Sequence, residues 1–283
     1  MTPVSVVINT LNEEAALPGC LATLEWADEI VVVDMHSDDR TREIAAKAGC
    51  RVLEHERVGY VEPARNFAVA QARNAWVLVV DADERVPPGL VDWMQRILPG
   101  TGASAFRIPR RNYYGTTWMR CCGWFPDRQL RLFRRDKIAY SDRIHRPPRV
   151  DGVTETLPTW GDAHLRHLCF DTLESRFEKD NKYSGISAQT LVREGRRSGW
   201  LALLAGPLIV FLRAYLLQRG FLAGRLGVVL AWERAFAAYL RQAKVWEREA
   251  GAEPQPDEAP FGKGGEVPVE KARRAPRGEG AEP

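Results

Sequence analysis

Apolar positions in the first hundred residues fall into short unbroken runs, each followed by a polar stretch of helical period. "VSVVI" (Val4 to Ile8) is rich in β-branched residues, and "EIVVVD", the shorter "CRVLEH" and "WVLVVD" repeat the pattern. Runs that are short and apolar throughout predict strands buried on both faces. Between them, "NEEAALPGCLATLE" predicts a helix capped by Asn12, with acids in its first turn. "DDRTREIAAKAG" predicts one closed by Gly49, and "EPARNFAVAQAR" one with Pro63 at an allowed early position. Alternating strands and helices predict a mostly parallel sheet with helices on both faces. The ligand crevice of such a sheet lies beyond the carboxyl ends of its strands. Three predicted strands end in polar clusters, "NTLNEE", "DMHSDD" and "DADE", which should converge on that crevice.

Beyond this region the pattern changes twice. Residues 101–170 are strand-like but irregular and dense in Arg, Trp and Tyr, and residues 171–250 are helical in period. Residues 251–283 are rich in Pro, Gly, Glu, Lys and Arg, a composition that predicts disorder. The longest apolar run, Trp200 to Leu212, spans about a dozen residues and is interrupted by Gly206-Pro207, against the roughly 20 that a membrane span needs. No ordinary transmembrane helix is therefore expected. The run is instead bracketed by Arg196, Arg197 and Arg213, with Trp200 and Tyr215 near its ends. "RLGVVLAWERAFAAYLRQAKVWE" also sets cations (Arg225, Arg234, Arg241, Lys244) beside apolar residues at helical spacing. Such segments suit helices lying on an anionic bilayer surface, and equally a helical pair packed on the preceding domain.

Charge and cysteine content narrow the classes. A net charge of +3 over 283 residues gives no reason to expect a nucleic-acid partner. The 5 cysteines show neither C-x-x-C nor a Cys/His ligand spacing, which predicts reduced thiols in a cytoplasmic protein. No G-x-G-x-x-G follows the first strand and no phosphate-binding G-x-x-x-x-G-K-[ST] occurs, so a phosphate ligand would need another counter-charge. Asp81 and Asp83, at i and i+2, would point to one side of an extended segment. Mg²⁺ or Mn²⁺ takes a few carboxylate oxygens and completes its shell with phosphate and water. The pattern fits a nucleotide-diphosphate site.

"VSVVINTLNEE", "EIVVVDMHSDDRT", "EPARNFAVAQA" and "WVLVVDADE" resemble, in order and spacing, the nucleotide-sugar half of family 2 glycosyltransferases. "CGWFPDRQLRLFRRD", "HLRHLCFDTL" with His167, "EKDNKYSGISA" and "RAYLLQRGFLAGRLG" are similar to later blocks of the lipopolysaccharide-core subgroup. The resemblance implies a GT-A fold over residues 1–170, with a nucleotide-sugar half at 1–100 and an acceptor half at 101–170. It also implies a nucleotide-sugar donor, Mg²⁺ or Mn²⁺, inversion at the anomeric carbon, and a glycolipid acceptor on the inner face of the cytoplasmic membrane. Asp83, with Asp81 beside it, would hold the metal. Thr10, Asn12, Glu13, Asp34, Ser37, Asp39, Arg65, Asn66 and Asp81 would form the nucleotide-sugar site, with Arg65 reaching the diphosphate as a fork of donors.

The chain departs from the subgroup where His145-Arg146 replaces His-Glu and where Ala223 replaces Asp. A guanidinium stays protonated, so Arg146 cannot serve as the base. His145, Asp142 and Asp127 are the remaining candidates. A polyprenyl-phosphate acceptor, held by the arginines of "DRQLRLFRR", would need no base at all. A nucleotidyltransferase would carry a glycine-rich basic loop where this chain has "NTLNEE", and a non-catalytic membrane scaffold would have no use for the acidic strand ends.

Overall fold

The computed structural model describes residues 2–57, 62–140, 148–169 and 172–251. The first half runs β1 (Val4–Thr10), α1 (Leu17–Leu21), β2 (Glu29–Asp34), α2 (Thr41–Lys47), β3 (Arg51–Glu54), α3 (Glu62–Gln71), β4 (Trp76–Val79), β5 (Glu84–Arg85) and α4 (Pro88–Ile97). Then come β6 (Ala105–Tyr114), β7 (Thr117–Trp118), β8 (Asp127–Arg134), β9 (Ile138–Ala139), β10 (Arg149–Val150), β11 (Thr154–Thr156) and β12 (Leu165–Cys169). Three long helices follow: α5 (Leu173–Arg193), α6 (Trp200–Leu212) and α7 (Gly224–Glu249).

The main sheet has the order β3-β2-β1-β4-β8-β6-β12-β5. β1 pairs in parallel with β2 and β4, and β2 with β3. The antiparallel β8 joins this half to β6, on which β12 lies parallel. Alternation along β1 sorts its side chains onto two cores. Val4, Val6 and Ile8 pack with Leu17, Ala45, Leu90 and Met94 of α1, α2 and α4, while Val7 packs with Ala68 of α3 and with Ala72 just after it on the other face. Each large aliphatic side chain buried this way contributes about 1.5–3 kcal/mol. This is the GT-A arrangement that the sequence implies.

Three local expectations change. Asn12 does not cap a long helix: it sits at φ 58°, in the left-handed region, and α1 begins only at Leu17, with Pro18 in its first turn. The Asn12 amide oxygen instead accepts from the Asp38 amide at 2.8 Å, tying the first strand's loop to the second's. The acidic stretch after β4 is a turn, closed by the Glu84 amide donating to the Asp81 carbonyl at 2.9 Å, and not an extended segment. It leads into β5, which pairs antiparallel with β12 and so fixes the acidic turn against that strand. Finally, α6 runs unbroken through Gly206-Pro207 and continues as a π-helical turn, Arg213–Leu217. Good helix formers on both sides outweigh the proline. The resulting stretch, Trp200–Leu217, has 18 residues and is long and apolar enough, by length and composition, to cross a membrane.

All five cysteines are free, in line with the reduced thiols expected. α7 packs on the sheet domain through Leu230, which joins Met119, Cys121 and Cys122 in a third apolar cluster. The candidates Asp142 and His145, and residues 252–283 of the tail, lie outside the described residues.

Candidate active site

The carboxyl ends of β1, β2 and β4 bring the three polar clusters together. Asp34, wholly buried, accepts from Thr10 Oγ1 at 3.1 Å, from the Ser37 amide at 2.8 Å and from Ser37 Oγ at 2.5 Å. Ser37 Oγ in turn accepts from the Asn12 amide at 2.9 Å. Asp39 accepts from the Glu14 amide at 3.0 Å and the Thr41 amide at 2.9 Å, and these bonds with the Thr41 hydroxyl outweigh a burial penalty and hold its pKa down. Thr10, Asp34 and Ser37 are thus spent on one another. They shape the crevice wall, and these bonds fix the orientation of each side chain there. Asn66 is spent as well: its amide donates to the Tyr140 carbonyl at 2.9 Å and accepts from the Tyr140 amide at 2.8 Å.

The acidic turn separates its carboxylates by environment. Glu84 is wholly buried, accepting from Arg131 at 3.0 Å, from Arg110 at 3.2 Å and from the Asp81 amide at 3.0 Å. Asp81 is gripped by Arg131 at both oxygens and by Arg65 at 3.0 Å. Burial alone would raise its pKa, but these guanidiniums hold it well below the usual carboxylate range. Asp81 and Asp83 are therefore not an equivalent pair of metal ligands. A turn, unlike an extended strand, sends its first and third side chains to different partners, and those of Asp81 are arginines.

Asp83 faces the other way. Its Oδ2 accepts from His167 Nε2 at 3.0 Å, while its Oδ1 is buried without a hydrogen-bond partner. His167 Nδ1 donates to Asn112 Oδ1 at 2.6 Å, and Asn112 Nδ2 donates to Asp127 at 3.0 Å. Burial pulls the imidazolium pKa down, yet the bond to Asp83, the Cys169 thiol and the Asp83 charge outweigh it and lift the pKa to about 10. Glu13 is pushed up to about 7, first by burial and then by the charges of Asp83 and Asp81. Asp83 thus keeps an orphaned carboxylate oxygen in the crevice, near enough to Glu13 for the two charges to be felt. That is the chemistry of a cation site.

Among the described residues no three His, Cys, Asp or Glu side chains form a closed metal cluster. An open site anchored by the unpartnered oxygen of Asp83 and completed by phosphate and water fits this arrangement, and His167 can join it as a ligand only by giving up the proton on Nε2.

Asp127, the one candidate base among the described residues, accepts from Arg110 at 2.8 Å, Asn112 at 3.0 Å and Gln129 at 2.6 Å. Burial raises its pKa, and the Arg110 charge with these bonds brings it below the usual range. A carboxylate so fully engaged is a positioning group in this structure and a poor proton acceptor. The arginines of "DRQLRLFRR" are engaged as well. Arg128 donates to Thr159 at 2.6 Å, Arg131 holds Asp81 and Glu84, Arg134 lies over the Trp76 ring and Arg135 bonds the Ala72 carbonyl.

Sequence reasoning missed Glu84, Arg110, Asn112 and Arg131, and left His167 without a role. Their partners are remote along the chain: His167 and Asp83 lie 84 positions apart. The signal available was the isolated histidine within a block already similar to the subgroup.

Comparison with known proteins follows the same lines. The family model for glycosyl transferase family 2 matches residues 5–146. A lipopolysaccharide core biosynthesis glycosyltransferase, LpsC, of Rhizobium meliloti (strain 1021) is 32% identical over 271 residues, which are 91% of this chain and 97% of that protein. An uncharacterized glycosyltransferase of Rickettsia typhi is 29% identical over 260 residues, 87% of this chain and 88% of its own length. Among solved structures, S. aureus TarS 1-349 superposes with a TM-score of 0.48 at 17% identity, over 88% of this chain and 92% of that one. Glucosyl-3-phosphoglycerate synthase from Mycobacterium tuberculosis, crystallised with Mn²⁺, UDP and glucosyl-3-phosphoglycerate, gives 0.33 at 27% identity over 40% and 44%.

Proposed function

This chain belongs to glycosyl transferase family 2, and on that premise we propose that it inverts the anomeric carbon of a nucleotide-diphosphate sugar while adding it to a membrane-anchored glycan of the lipopolysaccharide-core type. The observation that carries the donor half is Asp83, with its orphaned buried oxygen beside His167. Asp83, joined by His167 once the metal displaces the Nε2 proton, would hold Mg²⁺ or Mn²⁺, which when bound supplies counter-charge and Lewis acidity to the departing diphosphate. Arg65 and Arg131 keep Asp81 ionised and fixed, so the turn carrying Asp83 is held from both sides. Glu13 closes the crevice opposite, and the loops organised by Asp34 and Asp39 present backbone and the Asn12 side of the wall to the nucleoside.

The acceptor half of the proposal rests on the 32% identical core glycosyltransferase and on the helical face described next. Trp200, Leu204, Leu208, Leu212 and Leu216 form an exposed row at i+4 spacing along α6 and its extension. Val228, Trp232 and Phe236 continue that exposed surface on α7, and Phe211 packs on Trp232 at 4.6 Å. Arg196, Arg197, Arg213, Arg219 and Arg225, all exposed, surround it. An apolar face rimmed by cations matches an anionic bilayer surface. At 1.5 Å per residue the stretch reaches only about 27 Å, short of a hydrocarbon core of about 30 Å. It also carries Arg213 within it and lies along α7, so the proposed mode is interfacial.

The direct test is a panel of nucleotide sugars incubated with the full chain and Mn²⁺ or Mg²⁺, with nucleotide release measured. One donor or more should turn over, and EDTA should abolish the release. No release from any donor, with truncated lipopolysaccharide present as acceptor, would overturn the proposal.

A further inference from the structure

On the far side of Asn112 from Asp83 the structure contains a cavity of about 430 Å³. It opens between the 123–127 segment and the long helices α5 and α7, and its chemistry is carried by Trp124, Asp127, Arg176, Asp180, Glu233 and Arg234. Three hydrogen bonds connect it to the donor crevice: Asp127 to Asn112 at 3.0 Å, Asn112 to His167 at 2.6 Å, and His167 to Asp83 at 3.0 Å. Asn112, which lines the cavity, therefore adjoins the His167–Asp83 pair directly.

The polar groups of this cavity are built in and left incomplete. Glu233 is only 4% exposed, and while its Oε1 pairs with Arg176 at 2.6 Å, its Oε2 has no hydrogen-bond partner. Asp180 Oδ2 on α5 is likewise buried and unpartnered. Buried acceptors left unmatched are unfavourable, and a ligand that donates to them removes that cost. Both carboxyl groups are pushed up in pKa, chiefly by burial. Arg176 pairs with Glu233 and lies 4.9 Å over the Trp124 ring, with its Nε buried and unpartnered, and Arg234 donates to the Cys122 carbonyl and to Gln218 at 3.3 Å. Two spare acceptors beside one spare donor call for a ligand whose groups both donate and accept, as hydroxyls do. An indole wall beside them suits the apolar face of a pyranose ring.

We propose that this cavity is the acceptor subsite: it binds the uncharged terminal sugar of the acceptor glycan, with Asp180 and Glu233 accepting from its hydroxyls against the Trp124 wall. The proposal rests on the glycosyltransferase reading and names the site where the second substrate sits. Its position explains the Asn112–His167 bridge, which couples occupancy of the cavity to the side chain beside Asp83. It also places the acceptor against α5 and α7, so a glycan anchored at the apolar helical face reaches the cavity along those helices.

The test is isothermal titration of the full chain in detergent with the oligosaccharides released by mild acid from a series of truncated lipopolysaccharide cores. At least one should bind wild type, and Asp180→Asn, Glu233→Gln and the cavity-filling Ala237→Leu should each weaken it at least about tenfold, the scale of one hydrogen bond to a charged group. Thermal unfolding of each variant identifies any that fail to fold, and Asp180→Asn and Ala237→Leu stand as independent probes. If wild type binds none of the oligosaccharides, or if both those variants bind within about twofold of wild type, the subsite is wrong. Nucleotide release by wild type without any oligosaccharide reports the donor reading separately, so the two can fail independently.

Discussion

Glu84 lies wholly buried between Arg110 and Arg131, and it is the residue on which the acidic turn is hung. Removing its charge leaves two guanidiniums in the interior, and Glu84→Gln should lower stability by about 3–5 kcal/mol in urea unfolding. Asp83→Asn, whose side chain is 36% exposed, should leave stability nearly unchanged while lowering turnover at least about a hundredfold. Equal destabilisation by the two would mean that Asp83 is structural. Glu13 supplies a pH signature. In the metal-free chain its folded pKa is about 7 against 4.5 for the ordinary carboxyl. Between those values the folded state keeps a proton that the unfolded state has lost, so stability falls as pH rises through the window. Glu13→Gln should therefore match wild type near pH 4 and exceed it by about 2–3 kcal/mol at pH 8, in thermal unfolding with EDTA. An unchanged difference across that range would contradict the assignment. At this scale the sequence pointed to Asp81 and Asp83 as a motif, but it could not divide their roles, because the dividing partners Arg131 and His167 are 50 and 84 positions away.

At the scale of elements, the parallel half of the sheet was legible because four apolar runs admit few other arrangements. β5 and β12 were not: two residues of Glu84–Arg85 carry no period, and they form a strand only because β12 is there to pair with them. The Asn12 helix was misread because its acids mimic a first turn, whereas the backbone there bends through a left-handed residue to reach Asp38. α6 was read as too short because Gly206-Pro207 looks like a break. The junction of α7 with the preceding turn gives a sharp test. A Cβ on Gly227 would lie 1.8 Å from the Gly220 carbonyl oxygen, a backbone atom that cannot swing aside. Gly227→Ala should therefore cost about 3 kcal/mol despite its better helix propensity, seen as a lowered melting temperature. A stabilised variant would mean that α7 is free of this contact.

For the molecule as a whole, the apolar face of α6 and α7 sits beside helices whose other sides build the acceptor cavity, so location and chemistry are joined in one helical layer. The composition of the face was readable from its leucines and flanking arginines, but its exposure was not, since a buried helical pair has the same pattern. The full chain should float with vesicles containing phosphatidylglycerol and less so with neutral ones. Replacing Leu204 and Leu208 by Ser should weaken that binding at least about tenfold, given about 1.5–3 kcal/mol per large apolar side chain. Equal flotation of the variant, or none by wild type, would leave the face as a packing surface only.

Asp83 is the anionic anchor proposed for a cation beside a nucleotide diphosphate, and Mn²⁺ binding read by electron paramagnetic resonance tests this without any knowledge of sugar or acceptor. With a nucleoside diphosphate present, the wild-type chain should deplete the free Mn²⁺ signal beyond the depletion caused by the nucleotide alone, and the comparisons that follow are made on that excess. Asp83→Asn should restore it, and His167→Ala should restore it in part. Depletion by Asp83→Asn equal to that of wild type would contradict the central claim.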